Sequence, residues 1–287
     1  MTNNAIEVKN LRKEYKDFTL NDISFSLPTG YIMGFVGQNG AGKTTTIRLM
    51  LNMSEWAGGE ISLLGMDNLR DEHSIKQDVG VVLEENYFVN NWSVREVEQA
   101  LKPFYDHWNS ALFSQYAQQF HLPLDKKVKD LSRGMRMKLM LAVAMSHDAK
   151  LLILDEPTSG LDPVARDELL QILRDYIDEE KSILLSTHDT TDLERIADYI
   201  TLIDNGNIFY SGTKDDLIDS YRVVKGGLND LLDPFREKII GLTKNNTGFS
   251  GLIRASDGKY LPEEIVTEPP SIDEILVAIS KREGSHG

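Results

Sequence analysis

Residues 37–45 read GQNGAGKTT, and the residue types in that run suit phosphate. Gly37, Gly40 and Gly42 free the backbone for conformations a Cβ would forbid, so successive N–H groups can converge on anionic oxygens. Gln38, Asn39 and Ala41 complete the loop between them. Lys43 adds a point charge for the outer phosphates, the Thr44 hydroxyl is of the kind that holds Mg²⁺, and Thr45 continues into the next element. A second cluster, Asp155-Glu156, ends the apolar run 151–154. At the end of a buried strand beside the loop, Asp155 would orient a metal ion and its waters. Glu156 points differently and would take the proton from an attacking water. The two clusters predict binding of a nucleoside triphosphate and its hydrolysis. The bland alternatives, a glycine turn with an exposed lysine and an acidic pair capping a helix, do not explain the order strand, glycine loop, helix.

That order has to be supplied by the flanking elements. YIMGFV, residues 31–36, is an apolar run of strand length, and Ile47-Arg48-Leu49-Met50-Leu51 continues the chain as a helix. Upstream, IEVKNLRKEY and FTLNDISFSL alternate apolar and polar residues, as half-buried antiparallel strands do. A turn at Ala57-Gly58-Gly59 and short strands over 60–65 and 79–83 follow. Ser93 with Glu96 three residues on is a capping box, and it opens a helical stretch reaching about residue 148, broken near Pro103 and Pro123. Within it Met135, Leu139, Ala142 and Met145 fall near one face, read as core filler. Asp162-Pro163 is an N-cap followed by proline at the first helical position, and Leu169, Leu170, Leu173 and Ile177 share a face of that helix. SILLST ends at His188, and Asn205-Gly206 between TLID and NIFY signals a hairpin.

Beyond Gly212 the pattern changes. Residues 214–287 read as a small α+β unit distinct from 1–213, with apolar runs over 238–242 and 249–253 and a turn over 245–248. Its closing helix carries a capping box, Ser271 to Glu274, and the face Ile272, Ile275, Leu276 and Ile279, before the terminal GSHG.

Composition sets limits. The 287 residues allow one large domain with an appendage, and a net charge of −14 argues against a nucleic-acid partner, whose binding needs clustered Lys and Arg. There is no cysteine, which excludes disulfides and thiolate metal sites. No stretch approaches the roughly 18 apolar residues of a spanning helix, and the N-terminus lacks the features of a signal peptide. The chain is expected in the cytoplasm, and any work at a membrane would need another protein to carry it there.

Four motifs in order carry a resemblance: GQNGAGKTT, LSRGM, LLILDEP with SGLD, and a strand ending in His188. The set, over roughly residues 6–212, resembles the ATP-binding-cassette (ABC) ATPases, and LSRGM separates that family from other phosphate-loop proteins. The resemblance implies an α/β fold: a P-loop NTPase (RecA-like) core, an antiparallel β-subdomain, a helical subdomain over about 91–148 and here a small C-terminal α+β extension. It implies ATP and Mg²⁺, with Thr44 and Asp155 at the metal. Tyr15 resembles the aromatic residue that stacks on adenine; by itself it reads more often as an ordinary strand residue. His188 resembles the switch histidine that holds the γ-phosphate and the attacking water. Ser132, Arg133, Gly134 and Met135 match the signature that in this family faces the nucleotide bound by a second ATP-binding subunit, identical or paralogous. Asp162 matches the loop that crosses that dimer interface.

Three positions depart from the family pattern: Glu84, Arg133 and Met135, the last standing where Gln is common. Glu84 stands where Gln is usual; it would still reach the metal, either as a subfamily trait or at the cost of a slower site. Arg133 stands where Gly is usual, as a phosphate contact or a solvated charge. The resemblance implies an ATPase subunit serving a separate membrane-spanning permease, exporter-like, moving peptides, antibiotics or lipids, and held peripherally at the cell membrane through that permease. Tyr87, Phe88, Val89 and Trp92 would either receive the permease or pack under the helical segment. The rival reading is a soluble ABC ATPase acting on a ribosome, DNA or iron–sulfur assembly machinery, although the ribosome- and DNA-acting kinds commonly carry two cassettes or a long coiled-coil insertion.

Overall fold

A computed structural model describes residues 4–231, 233, 235–261 and 265–283; the terminal GSHG lies outside the described residues. The alternating N-terminal segments form β1 (Asn4–Glu14) and β2 (Thr19–Pro28), paired antiparallel. The apolar run forms β3 (Ile32–Val36), followed by the glycine loop and α1 (Lys43–Met50). β4 (Gly58–Leu63) and β5 (Met66–Asp67) join the first two strands in a sheet of order β2-β1-β4-β5. The turn expected at Ala57-Gly58-Gly59 is shorter than predicted, because Gly58 already pairs with Arg12 of β1.

After α2 (Glu72–Asp78) and β6 (Val79–Val82) the chain enters its helical segment, with α3 (Val94–Leu101), α4 (Ser110–Gln119) and α5 (Arg133–Met145). The Ser93–Glu96 capping box forms as read, each residue satisfying a backbone N–H of the other. α5 is buried all round from Leu139 to Met145 rather than along one stripe, since it packs on both β6 and α4. Next come β7 (Leu151–Asp155), α6 (Pro163–Tyr176), β8 (Ser182–Thr187), α7 (Thr190–Ile196), β9 (Tyr199–Asp204) and β10 (Asn207–Thr213). Tyr176, not Ile177, takes the last buried position on α6, because the backbone turns extended at Ile177.

These strands make a six-stranded sheet of order β10-β9-β3-β8-β7-β6, parallel from β9 to β6. Parallel strands covered on both faces read as unbroken apolar runs, yet their side chains still alternate. Ile32 and Val36 of β3, Leu152 and Leu154 of β7, and Ile183 and Leu185 of β8 join the core shared with the helices α5, α6 and α7. Met33 and Phe35, Leu151 and Ile153, and Leu184 join a second core against α1 and the antiparallel sheet. Each such side chain, fully buried, contributes about 1.5–3 kcal/mol.

The C-terminal residues form α8 (Lys214–Asp219), β11 (Tyr221–Gly226), α9 (Phe235–Lys238), β12 (Ile240–Lys244), β13 (Phe249–Arg254), β14 (Val266–Glu268) and α10 (Ile272–Glu283). The strand order is β12-β13-β11-β14, and the turn between β12 and β13 is held by Asn245 as its residue type predicts. One face of this sheet encloses a small core of Val224, Phe235, Phe249, Ile253 and Ile265. The other face and α10, through Ile272, Ile275, Leu276 and Ile279, are continuous with the main core. α10 packs on α7, and the Ile272 N–H donates to Glu194 Oε1 at 3.0 Å.

Candidate functional site

β3, β8 and β7 are consecutive in the sheet and parallel, so their C-terminal ends share one edge. That edge receives the glycine loop from β3, His188 from β8 and Asp155-Glu156 from β7. The acidic pair was expected beside the loop; β8 lies between β3 and β7 in the sheet, and Glu156 reaches across it to Lys43.

The loop is held from below. A Cβ on Gly37 would stand 2.3 Å from the Ile203 carbonyl oxygen, so only glycine lets the loop lie this close to β9. Gly42, at φ +116°, turns the chain into α1 beneath Phe18 and Leu20. The hairpin tip at Gly206 donates its N–H to the Ala41 carbonyl at 3.0 Å. Gly37 and Ala41 are buried, Gln38, Asn39 and Gly40 are exposed, and Thr44 and Thr45 are half-buried at the start of α1.

Lys43 is buried, and its Nζ donates to the Gly37 carbonyl at 2.7 Å and the Gln38 carbonyl at 3.3 Å. It also lies 3.3 Å from Glu156 Oε1, while Glu156 Oε2 lies 2.8 Å from His188 Nδ1. One carboxylate therefore bridges the loop cation and the imidazole. Glu156 adopts φ +50°, a left-handed conformation that disfavours a side chain, held by its N–H donating to the Ser186 carbonyl and hydroxyl. The Ser186 hydroxyl in turn donates to Asp155 Oδ1 at 2.5 Å. Ser186 thus orients the Asp155 carboxylate and the Glu156 backbone from the neighbouring strand. It escaped the sequence reading because nothing local marks it; its position two residues before His188 on an alternating strand is the signal that would have found it.

Above the loop lies a cleft of about 770 Å³ whose walls include Tyr15, Asn39, Gly40, Gly42, Lys43, Thr44, Thr45, Glu84, Glu156 and His188. Asp155 sits behind this surface, buried. Tyr15 stands half-exposed at the mouth, its ring 6.4 Å from that of Phe18, with Lys13 Nζ 5.2 Å from its centroid. Phe18, Asp17, Ser159 and Asn205 also line the cleft and were not read from the sequence as site residues. The oxygen donors expected at a metal are the Thr44 hydroxyl and the Glu84 carboxylate in the cleft wall and the Asp155 carboxylate behind it. Among the described residues no three His, Cys, Asp or Glu side chains gather as a metal cage. A hydroxyl with one or two carboxylates, one of them already oriented by Ser186, fits Mg²⁺, which keeps waters and phosphate oxygens as its remaining ligands.

Ser132, Gly134 and Met135 do not line this cleft. Ser132 caps α5, accepting from the Met135 N–H at 3.2 Å. Arg133 Nη2 lies 3.4 Å from Glu84 Oε1, bordering a neighbouring pocket of about 340 Å³. Two of the three departures from the family pattern, Arg133 and Glu84, therefore meet each other. Asp162 caps α6, accepting from Val164 and Ala165 at 3.0 and 3.1 Å. Phe88 is buried and Trp92 packs against the core, whereas Tyr87 and Val89 are exposed. The Tyr87 hydroxyl is tucked in, donating to the Val81 carbonyl at 2.8 Å, and burial raises its pKa.

Comparison with known proteins agrees with this geometry. Residues 20–159 match the family model described as ABC transporter. The Nod factor export ATP-binding protein I of Cupriavidus pinatubonensis is 34% identical over 221 residues, covering 75% of this chain and 68% of that protein. The protein of the same name from Neorhizobium galegae is 30% identical over 300 residues, covering 97% and 86%. A solved structure described as the ATP binding subunit of an ABC transporter superposes with a TM-score of 0.68 at 28% identity, covering 74% of this chain and 91% of that one. The chain belongs to the ABC transporter family, as an ATP-binding subunit with ATPase activity.

Proposed function

We propose that the chain hydrolyses ATP to drive export through a separate membrane permease, by closing against a second ATP-binding subunit. The observation that carries the hydrolytic part is the contact series Lys43–Glu156–His188 at 3.3 and 2.8 Å, at the end of a phosphate loop. In this reading the loop N–H groups from Gly37 to Thr45 and Lys43 bind the triphosphate, and Tyr15 stacks on the base. Glu156 is the general base for water, and His188 holds the γ-phosphate and that water in line with it. Thr44 and Asp155, with Glu84, hold Mg²⁺, which supplies charge neutralisation at the phosphates.

Ser132, Arg133, Gly134 and Met135 act on the nucleotide of the second subunit, and Asp162 lies at the interface between the two. The α5 N-terminus, capped by Ser132, offers that remote phosphate its free N–H groups and dipole. The permease docks beside the rim at Glu84, where Tyr87 and Val89 are exposed, and it is what holds the chain at the cytoplasmic face of the membrane. No helix among the described residues is long and apolar enough to cross a membrane itself. Relatives named for export support outward transport over a soluble ribosome, DNA or iron–sulfur role; peptides, antibiotics or lipids are the proposed cargo. Residues 214–287 serve as an accessory unit to the cassette formed by 1–213, whose helical subdomain spans about 91–148.

The test is Glu156→Gln with light scattering and phosphate release. ATP should convert the variant to a stable dimer, ADP should not, and turnover should be lost. A Glu156→Gln protein that stays monomeric in ATP and releases phosphate at the wild-type rate would overturn the reading.

A further inference from the structure

The element behind His188 is gripped by a side chain that no motif includes. Arg166, on α6, donates from Nε to Asp192 Oδ1 at 2.5 Å, and its Nη2 lies 2.7 Å from Asp189 Oδ2. Both carboxylates belong to α7 or its cap, and Asp189 directly follows His188. Asp192 is 1% exposed, so a cation beside it is demanded by burial alone. Asp189 is different. Its side chain is 39% exposed and already has a task, accepting from the Thr191 N–H at 3.0 Å as the cap of α7. Burial does not require Arg166 to reach it. What the second arm fixes is the backbone on the far side of His188, where the Asp189 N–H also bonds back to Thr187 Oγ1 at 2.9 Å. Burial works against the Asp189 charge, but Arg166 and the Thr191 N–H outweigh it and hold its pKa below the usual value.

Arg166 also sits in the first turn of the helix that Asp162 caps. Its own N–H donates to the Asp162 carbonyl at 3.0 Å, one helical turn from the cap of α6. A single residue thus links the Asp162 turn to the segment that aims His188 at Glu156.

We propose that Arg166 is a positioning residue for hydrolysis, its two-armed grip on Asp189 and Asp192 setting the His188 ring against Glu156. The inference rests on the roles proposed above for Glu156 and His188. Arg166 has no recorded contact with either side chain; it acts through the backbone between them.

The experiment compares steady-state ATP hydrolysis, nucleotide affinity and melting temperature for the full chain carrying Arg166→Gln, Arg166→Lys, Asp189→Asn or His188→Ala. Asp189→Asn keeps the capping oxygen and the Asp192 pair and removes only the second arm. It should lower kcat about 10- to 100-fold, the penalty for roughly an ångström of misplacement, with KM and nucleotide affinity within about twofold. Arg166→Gln should lower kcat at least as far. Arg166→Lys should restore the melting temperature, since one ammonium still neutralises Asp192, but not kcat, since it cannot fork to both carboxylates. Asp189→Asn at wild-type kcat, or Arg166→Lys restoring rate and melting temperature together, would reduce Arg166 to a fold-stabilising ion pair and overturn the inference. Should Arg166→Gln fail to fold, Asp189→Asn and Arg166→Lys still decide the question. His188→Ala at full turnover would overturn the parent reading and this one with it; His188→Ala impaired beside an unimpaired Asp189→Asn sinks this one alone.

Discussion

Two charged contacts stand at the floor and the rim of the same cleft, and they differ in nearly every physical respect. At the floor, the Lys43 and Glu156 side chains are 6% and 9% exposed, and they make further bonds to the loop and to His188 respectively. At the rim, Arg133 and Glu84 are 44% and 51% exposed and meet at 3.4 Å. A buried pair resists removal of either partner, because the survivor is left charged and unsolvated. An exposed pair is worth about 0–1 kcal/mol and is screened by salt. The floor is therefore built to stay in place, whereas the rim is built to exchange partners at little cost. That suits their positions, the floor at the ends of β3, β7 and β8 and the rim between β6 and the first residue of α5.

The sharpest way to break this comparison is at the floor. Glu156→Gln should reduce phosphate release by about 100-fold or more, the range of a lost general base. Next, Lys43→Met should cost about 3 kcal/mol in denaturant unfolding, and Lys43→Met with Glu156→Gln should cost less than Lys43→Met alone, since no unpaired charge remains. If the double variant is the less stable, the floor is not the tight pair described here. Ser186→Ala removes the hydroxyl that orients Asp155 and reaches the Glu156 N–H; a loss of about 1–2 kcal/mol is expected by thermal melting, with turnover reduced as well. The smallest effect belongs to the rim. Glu84→Gln and Arg133→Ala should each change stability by less than about 1 kcal/mol, and the difference should fade in about 1 M salt. A larger, salt-resistant loss would mean that the rim is as fixed as the floor.

What the sequence made legible was local. The glycine loop, the Ser93–Glu96 box, the Asp162 cap and the Asn205-Gly206 hairpin each depend on residues a few positions apart, and each forms where it was expected. The contacts that tune the site join distant segments: Arg133 to Glu84, Arg166 to Asp192, Ser186 to Asp155. Their partners are set by strand order and helix packing, which no periodicity encodes. Hence the two departures at Glu84 and Arg133 read as separate oddities until the fold brought their opposite charges together. β11 was missed for a related reason: its sequence, YRVVKG, is short, and its strand identity comes from pairing with β13 and β14 on either side.

The seating of α10 on α7 has a practical outcome. Anyone shortening the protein after Thr213 to isolate its catalytic stretch would strip Ile272, Ile275, Leu276 and Ile279 from the flank they cover. The trimmed product would carry a raw greasy side and tend to clump. By the same leverage, a molecule that pried the tail loose would tug, through Glu194, on the helix that begins one residue after the His188–Asp189 corner.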